Sequence, residues 1–191
     1  MAILPPSKLK NWEILESKDI SPSKWIPIRQ DLIKLAHKDK EVDFVLLATG
    51  PASMLFPFDK DKNLILVRQY KHGTGDLIVE GAAGMIDEGE TPKQACVREA
   101  REELGAIVEE SELIALGPHS QMPTKSTHVL HGFTAFDAEL TEEQILDDQE
   151  EIEIIRLKPA DAVKAIESGE IWASDTVAFI LKIKLKYPEL F

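Results

Sequence analysis

The stretch GMIDEGETPKQACVREAREELGA, running from Gly84 to Ala106, contains the best-marked helix of the chain. Thr91 is a residue of N-cap type, Pro92 suits the first helical position, and Gly105 follows the last periodic residue as a terminator. On that helix Ala95, Cys96, Ala100 and Leu104 form a narrow apolar stripe, and the glutamates are expected to point away from it. Glu99, Glu102 and Glu103 stand at i, i+3 and i+4, so their carboxylates share a face. Like charges held this close repel one another. Such a face is either a solvated surface or a seat for a hard divalent cation, which takes oxygen ligands.

The surroundings of this helix set the fold class. Residues 12–17, 24–35 and 43–49 read as strands between polar and proline-containing turns, and Gly50-Pro51 reads as a boundary. Two further strands, 53–57 and 63–70, flank the turn DKDKN; the second holds Leu64-Ile65-Leu66-Val67, apolar on both faces as in a buried strand. A glycine-containing loop at 72–76 leads into a short apolar piece at 77–79. Beyond the helix, strands are expected at 112–117, 127–136 and 152–157, and helices at 159–168, closed by Gly169, and at 174–186. Strands in front, one acidic helix among them and two helices behind fit a mixed α+β sandwich better than alternating βαβ units.

Composition narrows the partners. The 191 residues suit one well-buried domain with a small appendage. A net charge of −12 argues against broad contact with nucleic acid or an anionic membrane surface, and implies that cations mediate contact with any anionic substrate. No apolar run is long enough to span a bilayer, and the first residues, MAILPPSKLKNWEIL, do not read as a signal peptide. The single Cys96 excludes an internal disulfide, fits a reducing cytoplasm, and reads as core filler within the helix.

From Gly84 the pattern runs Gly, five residues, Glu90, seven residues, then Arg98-Glu99-Ala100-Arg101-Glu102-Glu103-Leu104-Gly105-Ala106. It resembles the signature box of the Nudix hydrolases at every charged and glycine position, with Ala100 and Ala106 where that family prefers a bulky aliphatic residue. The physical reasons are legible. Gly84 allows a tight backbone turn that aims the Ala83 carbonyl at the acidic helix. Glu99 and Glu103 lie one helical turn apart and would supply oxygens to the metal, with Glu102 at the edge of the cluster as ligand or catalytic carboxylate. Arg98 can pair with Glu102 or Glu90 and hold the carboxylates against their repulsion. The resemblance implies an α/β/α Nudix sandwich with a mixed sheet over residues 51–191, an N-terminal antiparallel strand appendage over 1–50, and Mg²⁺, with Mn²⁺ as a substitute.

The likeness extends to the ADP-ribose and nucleoside-diphosphate-sugar pyrophosphatase branch. Leu66-Val67-Arg68-Gln69-Tyr70-Lys71 resembles the branch's strand before the active site, although Lys71 replaces an Arg and loses its bidentate fork. Glu80-Gly81-Ala82-Ala83-Gly84 is similar to the branch's approach to the box, with Ala82 for Pro. Pro123 sits near the branch's downstream proline without the Gly that often follows it. The acidic run 147–153 resembles the loop that carries a catalytic glutamate, with Glu150 the first choice for the base and Glu151 the second. Arg68, Lys71, Glu80 and Pro123 are thereby implied in substrate binding. The branch's homodimers add Trp25 and Arg29 from the appendage, where Trp25 could stack on a base. The implied activity is cleavage of ADP-ribose or another nucleoside diphosphate sugar to a nucleoside monophosphate and a sugar phosphate. The alternatives are a Nudix hydrolase of a dinucleoside polyphosphate, a coenzyme A derivative or a damaged nucleotide, and a nucleotide-binding module without turnover.

Overall fold

The structure, a computed structural model, describes residues 3–191. Its contacts divide the chain into two units. One comprises the described part of Met1–Thr49 with the segment Met122–His128, the other Gly50–Gln121 with Val129–Phe191.

The first unit is an antiparallel sheet of β1 (Glu13–Asp19), β2 (Ile28–Lys34) and β3 (Glu41–Leu47), in the order β1-β2-β3. The strand expected over 24–35 begins only at Ile28. Ile26 N–H donates to the Ser23 carbonyl at 3.2 Å and closes a turn, and Pro27 has no N–H with which to extend the ladder. The 122–128 segment joins this unit through main-chain bonds between Leu47 and both Lys125 (2.8 Å) and Thr127 (3.0 Å).

The second unit holds β4 (Ala52–Pro57), β5 (Leu64–Lys71), β6 (Asp76–Glu80), β7 (Ala82–Met85), α1 (Pro92–Leu104), β8 (Ala106–Ile107), β9 (Ile114–His119), β10 (Leu130–Ala135), β11 (Glu139–Leu140), β12 (Ile152–Leu157), α2 (Pro159–Ser168) and α3 (Ser174–Lys186). A mixed sheet runs β7-β4-β10-β9, with β4 and β10 parallel and the outer pairs antiparallel. An antiparallel sheet runs β12-β5-β6, and β8 pairs with β11.

Strand periodicity makes this unit layered. Successive side chains of β4 and β5 point to opposite faces. Leu55, Ile65 and Val67 pack with Cys96, Ala100 and Leu104 of α1, whereas Met54, Phe56, Leu64 and Leu66 pack with Ala162 of α2 and with Phe179, Ile180 and Ile183 of α3. The sheets thus lie between α1 on one side and α2 with α3 on the other, the α/β/α sandwich. A strand buried at every position, as β4 and the front of β5 are, is what a layer covered on both faces requires.

The close packing has one sharp test. A Cβ on Gly132 in β10 would lie 2.1 Å from Cε1 of Phe179, a ring with no exposed surface and hence little freedom to retreat. Gly132→Ala is expected to lower stability by about 1–3 kcal/mol, the usual range for an overpacked core. Urea unfolding midpoints measure it, and an unchanged midpoint would contradict the packing described.

Candidate active site

The acidic helix is built as its sequence dictates. Thr91 Oγ1 accepts from Gln94 N–H at 3.2 Å while Gln94 Oε1 accepts from Thr91 N–H at 2.8 Å, a reciprocal capping box. Gly105 ends the helix in the left-handed conformation at φ 60°. The expectation that the glutamates point away from the buried side is corrected. Glu99 is 9% and Glu103 3% exposed, and both belong to the buried face of α1 with Ala95, Cys96 and Ala100. The reason lies in β7, whose Ala82, Ala83 and Gly84 leave room that larger side chains would fill. A Cβ on Gly84 would fall 1.9 Å from Glu99 Oε1, so the carboxylate occupies the space that the glycine leaves. Ala83 meets the helix through its N–H, which donates to Glu103 Oε2 at 2.7 Å.

Arg98 organises the cluster with all five of its N–H groups. It binds Glu90 through two bonds of 3.0 and 3.1 Å, Glu99 Oε1 at 2.6 Å, Glu102 Oε2 at 3.1 Å and the Met85 carbonyl at 2.8 Å. The Arg98 guanidinium, with help from the Asp87 N–H, holds the Glu90 carboxyl below the usual range. Burial pushes Glu99 up, against the pull of Arg98. Burial also pushes Glu103 up to about 8, with the Ala83 N–H and Lys71 opposing and the charges of Glu99 and Glu150 adding to the rise. Cys96 lies beneath this cluster, its thiol pushed up by burial to about 12, which leaves it inert packing.

Around the carboxylates the structure assembles some of the residues singled out from the sequence. Lys71 Nζ pairs with Glu80 Oε1 at 2.8 Å, and Gln69 Nε2 donates to the same oxygen at 3.0 Å. Burial still pushes the Glu80 carboxyl up. The charge of Glu150 adds to the rise at both Glu99 and Glu103. The Glu150 carboxylate is itself bonded to Asp147 N–H at 3.0 Å. Arg68 is not brought into this group. It alternates with Val67 to the α2 side of the sheet, pairs with Glu153 through bonds of 2.9 and 2.5 Å, and lines a cavity of about 400 Å³ with Leu157 and Lys164.

In the first unit Trp25 is 77% exposed, with Lys24 over its ring at 4.5 Å. Arg29 forms a bidentate pair with buried Asp31, both bonds 2.8 Å. Arg29 and Pro123 line a cavity of about 430 Å³ with Trp12, Phe44 and Leu46. Trp12 and Phe44, in edge contact at 6.1 Å, were not singled out as ligand contacts by their spacing in the sequence.

No group of three or more His, Cys, Asp or Glu side chains among the described residues is gathered as a ready cage for a metal. The oxygen-only donors Glu99 and Glu103, buried and disfavoured as free charges, nevertheless suit a hard divalent cation, which would relieve the desolvation that raises them. The sign of the pH dependence without metal follows. The folded carboxyl of Glu103 titrates near 8, above its usual value of 4.5. The protonated form therefore supports the fold below about 4.5, and that support is lost as pH rises through about 8. In EDTA, the Tm of Glu103→Gln minus that of the parent is expected to grow between about pH 6 and 9. Calorimetry at the two pH values checks this, and a constant difference would refute the buried carboxyl.

The NUDIX domain pattern matches residues 48–178. An ADP-ribose pyrophosphatase of Bacillus subtilis is 30% identical over 138 residues, 72% of this chain and 73% of that protein. A GDP-mannose pyrophosphatase of Cronobacter sakazakii is 28% identical, covering 92% of this chain and 96% of that protein. Among solved structures, an ADP compounds hydrolase superposes with a TM-score of 0.81 over 96% of this chain and 98% of its own, at 21% identity, which bears on the fold alone. The chain belongs to the Nudix family and is a pyrophosphohydrolase of the group related to the ADP-ribose and GDP-mannose pyrophosphatases.

Proposed function

We propose that this enzyme is Mg²⁺-dependent and hydrolyses ADP-ribose or another nucleoside diphosphate sugar to a nucleoside monophosphate and a sugar phosphate. The observation that carries the reading is the buried Glu99–Glu103 pair, seated against Ala83 and Gly84 and organised by Arg98. The two relatives named for ADP-ribose and GDP-mannose support the substrate class.

Glu99, Glu102, Glu103 and the Ala83 carbonyl would hold Mg²⁺, with Mn²⁺ as substitute, and the bound ion would neutralise the pyrophosphate and acidify a water. Glu150 is the general base. It leaves the Asp147 N–H, takes a proton from the attacking water, and returns it to solvent after the phosphoanhydride P–O bond has broken. Its charge at Glu99 and Glu103 supports it in this role. Lys71, paired with Glu80, offers a cation to substrate phosphate, whereas Arg68 lies on the α2 side of the sheet, paired with Glu153. Residues 1–50 serve dimerisation and nucleotide binding, with Trp25, Arg29 and Pro123 the base-binding candidates. The enzyme works as a cytoplasmic homodimer; no helix among the described residues is long and apolar enough to cross a membrane.

Phosphomonoester release from a panel of nucleoside diphosphate sugars, dinucleoside polyphosphates and coenzyme A, with Mg²⁺ or with EDTA, tests the function. Turnover of nucleotide sugars that EDTA abolishes is expected, and turnover confined to another substrate class would overturn the reading. Glu103→Gln is expected to lose about 100-fold or more in kcat with the fold intact, and near-normal turnover would sink the metal assignment. Glu150→Gln should lose about 100- to 10,000-fold. An effect confined to Glu151→Gln would transfer the role of base.

A further inference from the structure

The residues between β11 and β12 carry Glu150 but have no regular secondary structure of their own, so something outside the loop must hold it beside the glutamates of α1. The last carbonyls of a helix have no intrahelical donors, and here the loop supplies them. Ile145 N–H donates to the Glu102 carbonyl at 2.8 Å, and the N–H groups of Thr141 and Glu142 donate to that of Gly105 at 3.0 and 3.1 Å. The Glu103 carbonyl receives a side chain: half-buried Gln144 donates through Nε2 at 2.6 Å, and the same nitrogen lies 3.4 Å from the Ile152 carbonyl at the first residue of β12.

We propose that Gln144 is the positioning residue of the acidic loop. Its single amide ties both roots of the segment 145–151 to the helix end that carries Glu102 and Glu103, so that Glu150 is presented to the cluster at a set height. The inference rests on the reading of Glu150 as the base. The main-chain bond of Ile145 and the Arg101–Glu142 pair, with Nε to Oε2 at 2.5 Å, hold the front of the loop only. Gln144 alone among these contacts joins the front to the returning strand. The pairing requires a donor at this position and a side chain of this length: Met fills the same volume without donating, and Asn stops one methylene short.

A double-mutant cycle tests it, run with Mg²⁺ and the nucleoside diphosphate sugar turned over fastest. Gln144→Met is expected to lower kcat about 10- to 100-fold, with KM and the Mg²⁺ concentration for half-activity within about twofold. In a Glu150→Gln background the same change should cost nothing further, since a misplaced base and an absent base are equivalent. Multiplying losses would overturn the positioning role while leaving the base reading intact. So would normal kcat in Gln144→Met. No loss in Glu150→Gln alone would overturn the base reading, and the positioning role with it. If the thermal transition of Gln144→Met is lost, Gln144→Asn carries the same cycle, and its expected outcome is also a kcat loss that Glu150→Gln masks.

Discussion

Two carboxylates buried on the inner face of a helix are the constraint to which the rest of the catalytic unit answers. Glu99 and Glu103 lie where an ordinary amphipathic helix would place leucine or valine, and their burial raises both above the usual carboxylate range. The fold admits them because the facing strand β7 is made of Ala82, Ala83 and Gly84, and because Arg98 commits every donor it has to the cluster and the strand behind it. An isolated charge in such a place is strongly unfavourable, and leaving one carboxylate without partners would be worse than replacing the pair by apolar residues. The arrangement therefore makes sense as chemistry suited to a cation rather than as a device for stability.

The layers around this helix follow from the same economy of space. One face of β4 and β5 gives α1 its apolar floor through Leu55, Ile65 and Val67, and the other face packs on α2 and α3. With strands covered on both sides, the polar groups of the candidate site gather at the edges. The strand ends bring Lys71 and Glu80 toward the helix, and the loop before β12 brings Glu150. The C-terminal carbonyls of α1 do double duty here, since the groups that satisfy them also anchor the loop.

Much of this was legible in the chain. The helix over 92–104 follows from Thr91, Pro92 and Gly105, and α2 and α3 begin and end where their periodicity and Gly169 put them. The strand β7 escaped notice because Ala-Ala-Gly-Met has no β-branched residue and no alternation; it is a strand by virtue of pairing with β4. The start of β2 slipped to Ile28 because a local turn at Ser23–Ile26 competes with the ladder. Arg68 illustrates a limit of motif reading: its neighbours are those of the family pattern, but strand alternation carries its side chain to the α2 side, into a pair with Glu153.

By itself, the sequence determined the helices and the acidic motif, since capping residues, the i, i+3, i+4 spacing of Glu99, Glu102 and Glu103 and the Gly84–Glu90–Arg98 pattern are properties of residues near one another in the chain. Only the tertiary structure decided which glutamates are buried, because exposure on a helix face depends on the size of what faces it, here Ala83 and Gly84. Tertiary structure also set the Glu150 carboxylate against the Asp147 N–H. Where the acidic loop sits depends on its ties, which are to carbonyls about 40 residues away in the chain, a relation that no spacing within the acidic run encodes.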